Sequence, residues 1–299
     1  MMLPLYHRLR AVLGGCALLL YLAGCTAQSG NKVEFVGRLD WPAQAHHSGG
    51  FSGLEISEDG RQFLALSDRA GLIEGQFIRE GTRLVRIEQS ASQRLRDDSG
   101  ALLKDERADS EGLALGSDGR IYISFEGWHR VWAYDGPNNP HPLDSPRAFN
   151  TFEGNSGLEA LAIDGRGRLF TLPERSGQIT RPFPVWRYDS GQWQEIFSVP
   201  RRGGFLPVGA DFGPDGLFYL LEREFTGMSF RSRVRRFNFG EDRVLSEEVL
   251  LEASGLKHGN LEGIAVWRDT AGAIRLTMVS DDNFQSFQRS EFVEYRVTE

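Results

Sequence analysis

Five times along the chain an acid sits in a cluster of Gly, Leu and Ala, followed by a short apolar run, a turn, a second apolar run and another acid. The first copy is Ser52-Gly53-Leu54-Glu55-Ile56, then Asp59-Gly60, then Phe63 to Asp68. The second is Ser110-Glu111-Gly112-Leu113-Ala114, Asp118-Gly119, and Ile121 to Glu126; the third is Ser156-Gly157-Leu158-Glu159-Ala160, Asp164-Gly165, and Leu169 to Glu174. The fourth is Gly209-Ala210-Asp211-Phe212, Asp215-Gly216, and Leu217 to Glu222. The fifth is Asn260-Leu261-Glu262-Gly263-Ile264, a longer turn from Asp269 to Ala273, and Ile274 to Asp281. Short apolar runs joined by Asp-Gly turns read as β-hairpins, and a unit recurring every fifty residues or so is the mark of a propeller blade.

The expected fold is therefore all-β, a single propeller of five four-stranded blades. Outer strands are expected around Arg130 to Tyr134, Pro184 to Tyr188 and Trp193 to Val199, with Trp132, Trp186, Tyr188 and Phe237 packing between blades. The fifth unit has one strand too few at the C-terminus, whereas Val33 to Leu39 precedes the first unit and belongs to none. Pairing that N-terminal strand with the last blade closes the ring and removes an exposed edge. A sixth blade would require the segment from Ile87 to Arg107 to be one, but the charges from Arg94 to Asp109 read as a loop. A β-sandwich is the other architecture that such strand spacing suits.

The N-terminal end points to export. Arg8 and Arg10 precede an apolar run from Ala11 to Leu22, too short for a comfortable span, and the layout is that of a secretory signal. It ends in Leu22-Ala23-Gly24-Cys25, which resembles a bacterial lipobox. That resemblance implies cleavage before Cys25, diacylation of its thiol, and membrane contact through the lipid alone. Thr26 stands where an inner-membrane retention signal would carry Asp, so an outer-membrane lipoprotein facing the periplasm is expected. The division is then signal 1–24, tether 25–32 and propeller 33–299. Removing a signal with two Arg and no acid takes the net charge from −7 to −9, which disfavours nucleic acid as a partner. A monomer acting on a small molecule is expected.

The acids are the candidate chemistry. Glu55, Glu111, Glu159, Asp211 and Glu262 open the first strands; Asp68, Glu126, Glu174, Glu222 and Asp281 close the second. Hairpin pairing is expected to bring both sets to one mouth of the channel. Carboxylates so crowded need a cation, arginines, backbone N–H donors or raised pKa values. Hard oxygen donors suit a divalent cation, Ca²⁺ before Mg²⁺; the same acids would also serve as acceptors holding neighbouring blades together. Arg69, Arg175 and Arg223 follow closing acids, either relieving the crowding or clamping anionic oxygens. His46, His47, His129 and His258 lie on loops, and Asp281-Asp282-Asn283 clusters oxygen donors in a turn. No G-x-S-x-G elbow, P-loop or H-E-x-x-H motif occurs.

Taken together, the S-G-L-E, D-S-E-G-L-A, N-S-G-L-E-A-L-A and N-L-E-G-I-A stretches, with closing L-S-D-R, S-F-E-G and L-P-E-R, resemble the phytase-like family described as esterase-like activity of phytase. The resemblance runs from about Gly49 to Glu294 and implies a propeller that hydrolyses phosphoesters or esters. In that reading the opening acids with Asp68, Glu222 and Asp281 hold the metal, Glu126 or Glu174 takes a proton, and Arg69, Arg175 and Arg223 stabilise developing charge. The fourth unit departs from the pattern by placing Asp211 where the others have Glu. A lactonase-type propeller and a scaffold without an enzymatic substrate are the alternatives.

Overall fold

In the computed structural model the structure describes residues 32–41, 49–152, 154, 156–255, 257–285 and 288–298. The expected signal 1–24, Cys25, the tether as far as residue 31, and His46 and His47 lie outside these residues. No helix among the described residues is long and apolar enough to cross a membrane.

The chain forms strands β1 (Val33–Asp40), β2 (Phe51–Ile56), β3 (Gln62–Ser67), β4 (Gly71–Glu80) and β5 (Arg83–Arg94). There follow β6 (Ser110–Leu115), β7 (Ile121–Phe125), β8 (Arg130–Tyr134) and β9 (Pro140–Pro142). The third quarter holds β10 (Leu158–Ile163), β11 (Leu169–Pro173), β12 (Phe183–Asp189) and β13 (Gln192–Val199). The last elements are β14 (Leu206–Phe212), β15 (Phe218–Phe225), β16 (Phe230–Phe239), β17 (Val244–Ala253), β18 (Asn260–Arg268), β19 (Ile274–Asp281) and β20 (Glu291–Val297). They make five antiparallel four-stranded blades in the orders β2-β3-β4-β5, β6-β7-β8-β9, β10-β11-β12-β13, β14-β15-β16-β17 and β18-β19-β20-β1. The fold is the five-bladed propeller expected from the repeats, and β1 completes the fifth blade through its pairing with β20. The segment after β5 forms no blade: it holds a β-bridge, Arg96 to Leu102, a short 3-10 turn at Asp105–Arg107, and the bridge from Asp109 back to Arg69.

The burial pattern separates inner from outer strands. β18 is buried along nearly its whole length, whereas β5 alternates with one face in water. The recurrent Asp supplies the turns between the first two strands. Asp59, Asp118, Asp164, Asp215 and Asp269 each accept the N–H two residues on through Oδ1, at 3.0–3.2 Å, a local bond that fixes the turn. Apolar clusters fill the spaces between blades. Trp132 packs with Leu66 and Leu72 of the first blade, Trp186 and Tyr188 with Ala114 and Val131 of the second, and Phe237 with Phe170 of the third. Between the fifth blade and the first, Trp41 stacks on Phe51 at 4.3 Å and on Phe292 at 5.0 Å. Arg79 of β4 adds a two-pronged pair to Glu294 of β20 at 2.8 and 2.7 Å.

Five blades around one axis force the inner strands close together, and two glycines record it. A Cβ at Gly209 would collide with the backbone oxygen of Glu262 on the next blade. At Gly263 a Cβ would sit 3.0 Å from the carbonyl carbon of Gly53, where the fifth blade meets the first.

Candidate active site

Each first hairpin carries an irregularity one step into its inner strand. The register shifts between Phe51 and Gly53, Ser110 and Leu113, Leu158 and Ala160, Pro207 and Gly209, and Leu261 and Gly263. A bulge leaves a residue out of the ladder and re-aims its side chain. The residues so released include Glu111, Glu159 and Glu262, with Ser52 and Val208 in the matching places of the first and fourth blades. On the facing strand, the position just beyond the pair that precedes the bulge holds Asp68, Glu126, Glu174, Arg223 and Asp281.

This geometry corrects three placements expected from the sequence. Glu55 pairs with Leu64 and Asp211 with Tyr219, at the turn end of their hairpins, so both stand at the opposite mouth. Both line one cavity there. Burial pushes the Glu55 carboxyl well above its usual range, with Asp211 adding to it, and burial raises Asp211 to about 7. Each accepts an N–H from the following blade: Leu115 N to Glu55 at 3.0 Å and Val266 N to Asp211 at 2.6 Å. The third correction is Glu222. It pairs with Pro207 inside the fourth blade, is fully buried, and accepts from Arg233 Nε at 2.7 Å and from Arg235 Nε and Nη2 at 2.8 and 2.6 Å. Arg223, one residue on, occupies the mouth position.

Asp109 joins the mouth as a residue that the repeat pattern did not single out. Carboxylate oxygens of Asp109, Glu111 and Glu126 lie within 4.8 Å of one another. Glu126 also accepts Gly157 N at 3.1 Å and shares a hydrogen bond with Glu159. Burial, then repulsion from Glu159, Glu126, Asp109 and Asp68, holds the Glu111 carboxyl far above its usual range. Burial and then Glu126 and Glu174 do the same for Glu159. Burial followed by Asp109 brings Glu126 to about 7, burial followed by Asp281 brings Asp68 to about 7, and burial brings Asp281 to about 6. Asp109 is raised by burial and by Glu106.

The other half of the mouth is held by arginine. Arg223 donates to Glu262 and to Asn260 Oδ1 (3.2 Å), and reaches Glu174 at 3.4 Å. Arg175 Nε also approaches Glu174 at 3.4 Å and is itself exposed. Arg69 stacks on Phe284 at 3.4 Å, on the rim of the first blade. Among the described residues no ion pair involves Asp109, Glu111, Glu126 or Glu159. His258 Nε2 and the Tyr295 hydroxyl share a hydrogen bond at 2.7 Å, and burial lowers the His258 pKa to about 4, so the ring is neutral. His129 packs against Gly157 and Phe152. Asp282 is spent on structure, accepting Gly50 N at 3.1 Å and the Ser290 hydroxyl at 2.9 Å.

A cluster of three carboxylates, all oxygen and poor in counter-charge, matches what a hard divalent cation requires. The crowding that raises these pKa values is relieved equally well by such an ion as by protons.

The family model described as "Phytase-like: Esterase-like activity of phytase" matches residues 46–284. No curated protein matches the chain. Among solved structures it is similar to the PQQ-bound aldose sugar dehydrogenase of Streptomyces coelicolor (14% identity over 87% of this chain and 98% of that one, TM-score 0.47). It is similar too to a streptogramin B lyase (13%, 88% and 74%, TM-score 0.42) and to a gluconolactonase of Xanthomonas campestris (13%, 82% and 72%, TM-score 0.44). Likeness at this level carries no information about chemistry. The family match, in contrast, spans most of the propeller and includes every mouth acid named above: the chain belongs to the phytase-like family.

Proposed function

We propose that the acidic mouth is the active site of a metal-assisted hydrolase of phosphoesters or esters. The observation that carries this reading is the Asp109, Glu111 and Glu126 cluster set across the mouth from Arg223. These three carboxylates are the residues that would hold the cation, with Ca²⁺ favoured by its tolerance of irregular oxygen sites. Bound there, a divalent cation would supply Lewis-acid polarisation of the substrate oxygen and a more acidic water.

The remaining roles belong to the chain's own side chains. Burial and the neighbouring Glu126 and Glu174 favour the protonated form of Glu159, which is hydrogen-bonded to Glu126; that suits it to give a proton to a leaving oxygen. Arg223, fixed between Glu174 and Glu262, presents a guanidinium to anionic substrate oxygens, with Arg175 beside it. Glu174, held by both arginines, orients them in this scheme.

The purified protein is expected to hydrolyse p-nitrophenyl phosphate, phytate or p-nitrophenyl acetate and to lose that turnover in chelator. Glu111→Gln should weaken cation affinity, and Arg223→Ala should lower kcat/KM on the order of 10²-fold. Turnover that persists in chelator, or full activity in both variants, would contradict the reading.

We further propose that the protein is exported and tethered by a lipid on Cys25, at the outer membrane facing the periplasm, as a monomer. The lipobox-like Leu22-Ala23-Gly24-Cys25 supports this. Radiolabelled palmitate fed to expressing bacteria should enter the wild-type chain and not Cys25→Ala; equal labelling of both would exclude lipidation at Cys25.

A further inference from the structure

The face that carries the acidic mouth also carries a groove of the opposite character. It lies between the fourth and fifth blades, with a volume of about 470 Å³. One wall is the turn between β15 and β16, where Phe225 packs on Phe230 at 5.1 Å and Met228 is 95% exposed. Three cations, Arg38, Lys257 and Arg289, come from the other side. Lys257 stands over the rings of Phe35 and Tyr295 at 5.4 and 5.3 Å. Arg38 comes no closer than 3.9 Å to the buried Glu291. Among the described residues no acid pairs with Lys257 or Arg289. Exposed apolar side chains rimmed by charge mark a binding surface, and three under-neutralised cations in a chain of net charge −7 specify the sign of what binds.

At its inner end the groove reaches Asn260, whose Oδ1 accepts Arg223 and whose Nδ2 donates to Glu262 Oε1 at 2.7 Å. One side chain thus belongs to both the groove and the mouth. We propose that the groove binds the apolar, negatively charged portion of the substrate, an aryl or alkyl group bearing an acidic substituent, while the ester linkage lies at the mouth. The link to catalysis rests on the hydrolase reading; binding in the groove does not. Phe225, Met228 and Phe230 bury the apolar body, and Arg38, Lys257 and Arg289 neutralise the substituent.

The probe is 8-anilino-1-naphthalenesulfonate, an apolar aromatic anion, titrated into the full chain and followed by fluorescence. One saturable site is expected, weakened at least tenfold by Lys257→Glu and by Met228→Asp, and changed less than twofold by Glu111→Gln. Both groove positions are exposed, and unchanged thermal melts will confirm that the variants fold. A kinetic arm compares 6-sulfo-2-naphthyl phosphate with glycerol 2-phosphate: the groove variants should raise KM for the first with kcat unchanged and leave the second alone. Dye affinity equal in wild type and both groove variants overturns the proposal, whatever the esterase assays show. Groove-dependent dye binding without turnover of any ester sustains the groove and removes the hydrolase reading instead.

Discussion

Glu222→Ala is expected to cost the propeller about 3–5 kcal/mol of stability, the range for leaving a buried charge without its partner. Glu222 is fully buried, and so is Arg235, while Arg233 is nearly so. The carboxylate accepts from both guanidiniums. Arg235 keeps Glu247 at 2.8 Å and the Pro200 carbonyl at 2.9 Å, but Arg233 has no other ion pair among the described residues. Against a typical domain stability of about 5–15 kcal/mol, such a loss is large enough to shift the urea midpoint well outside error. Added Ca²⁺ should not repair it, because Glu222 lies inside the fourth blade rather than at the mouth. A change under about 1 kcal/mol, or repair by the cation, would refute the structural role assigned to this residue.

The second large effect is a loss of stability as pH rises. Asp68 and Glu126 at about 7, Asp281 at about 6, and Glu111 and Glu159, which burial and like charge also raise, all bind protons more tightly in the folded chain than when unfolded. Such groups contribute stability that is complete below pH about 4 and is removed as pH climbs through 6 and 7. In chelator, Tm should therefore fall between pH 5 and pH 8, as the unfolding free energy drops by on the order of a few kcal/mol. Millimolar Ca²⁺ should restore much of it at pH 8, since a ligand at a hundred times its Kd adds about 2.7 kcal/mol, and should do little at pH 5, where protons occupy the site. The double variant Glu55→Gln with Asp211→Asn removes the pH-sensitive pair at the far mouth, so it should flatten part of the slope without touching the Ca²⁺ response. A Tm that rises from pH 5 to pH 8 in chelator, or that ignores Ca²⁺ at pH 8, would be the contrary result.

The architecture was legible because its signals are local and repeated. Asp-Gly turns, apolar inner strands and one strand without a blade sufficed to give the ring and its closure by β1. The site was legible in part. Aligned on their acids, the repeats put Glu55 and Asp211 level with Glu111; aligned on the small residue at the bulge (Gly53, Gly112, Ala160, Gly209, Gly263), they put both three places further on. A bulge leaves no periodic trace, so only strand register exposes the shift. The burial of Glu222 is hidden from the sequence for another reason. Its partners Arg233 and Arg235 come from the third strand of its own blade, and cross-strand pairs at that separation have no sequence signature. Asp109 closes a charge-rich segment that reads as loop, and the β-bridge between it and Arg69 is what carries it to the mouth.

The direction of β1 has a consequence for access. Its first residue, Val33, pairs with Val297 and its last, Asp40, with Glu291, so the polypeptide joins the ring at the rim of the turn-bearing face and climbs toward the face with the acids. In the proposed anchored form, Cys25 stands eight positions before Val33, at most about 28 Å of extended backbone, and the tether's pull would fall on the rim remote from the acidic mouth. In the proposed lipid-anchored hydrolase, the acidic mouth would then stay open to the surrounding fluid rather than face the lipid headgroups.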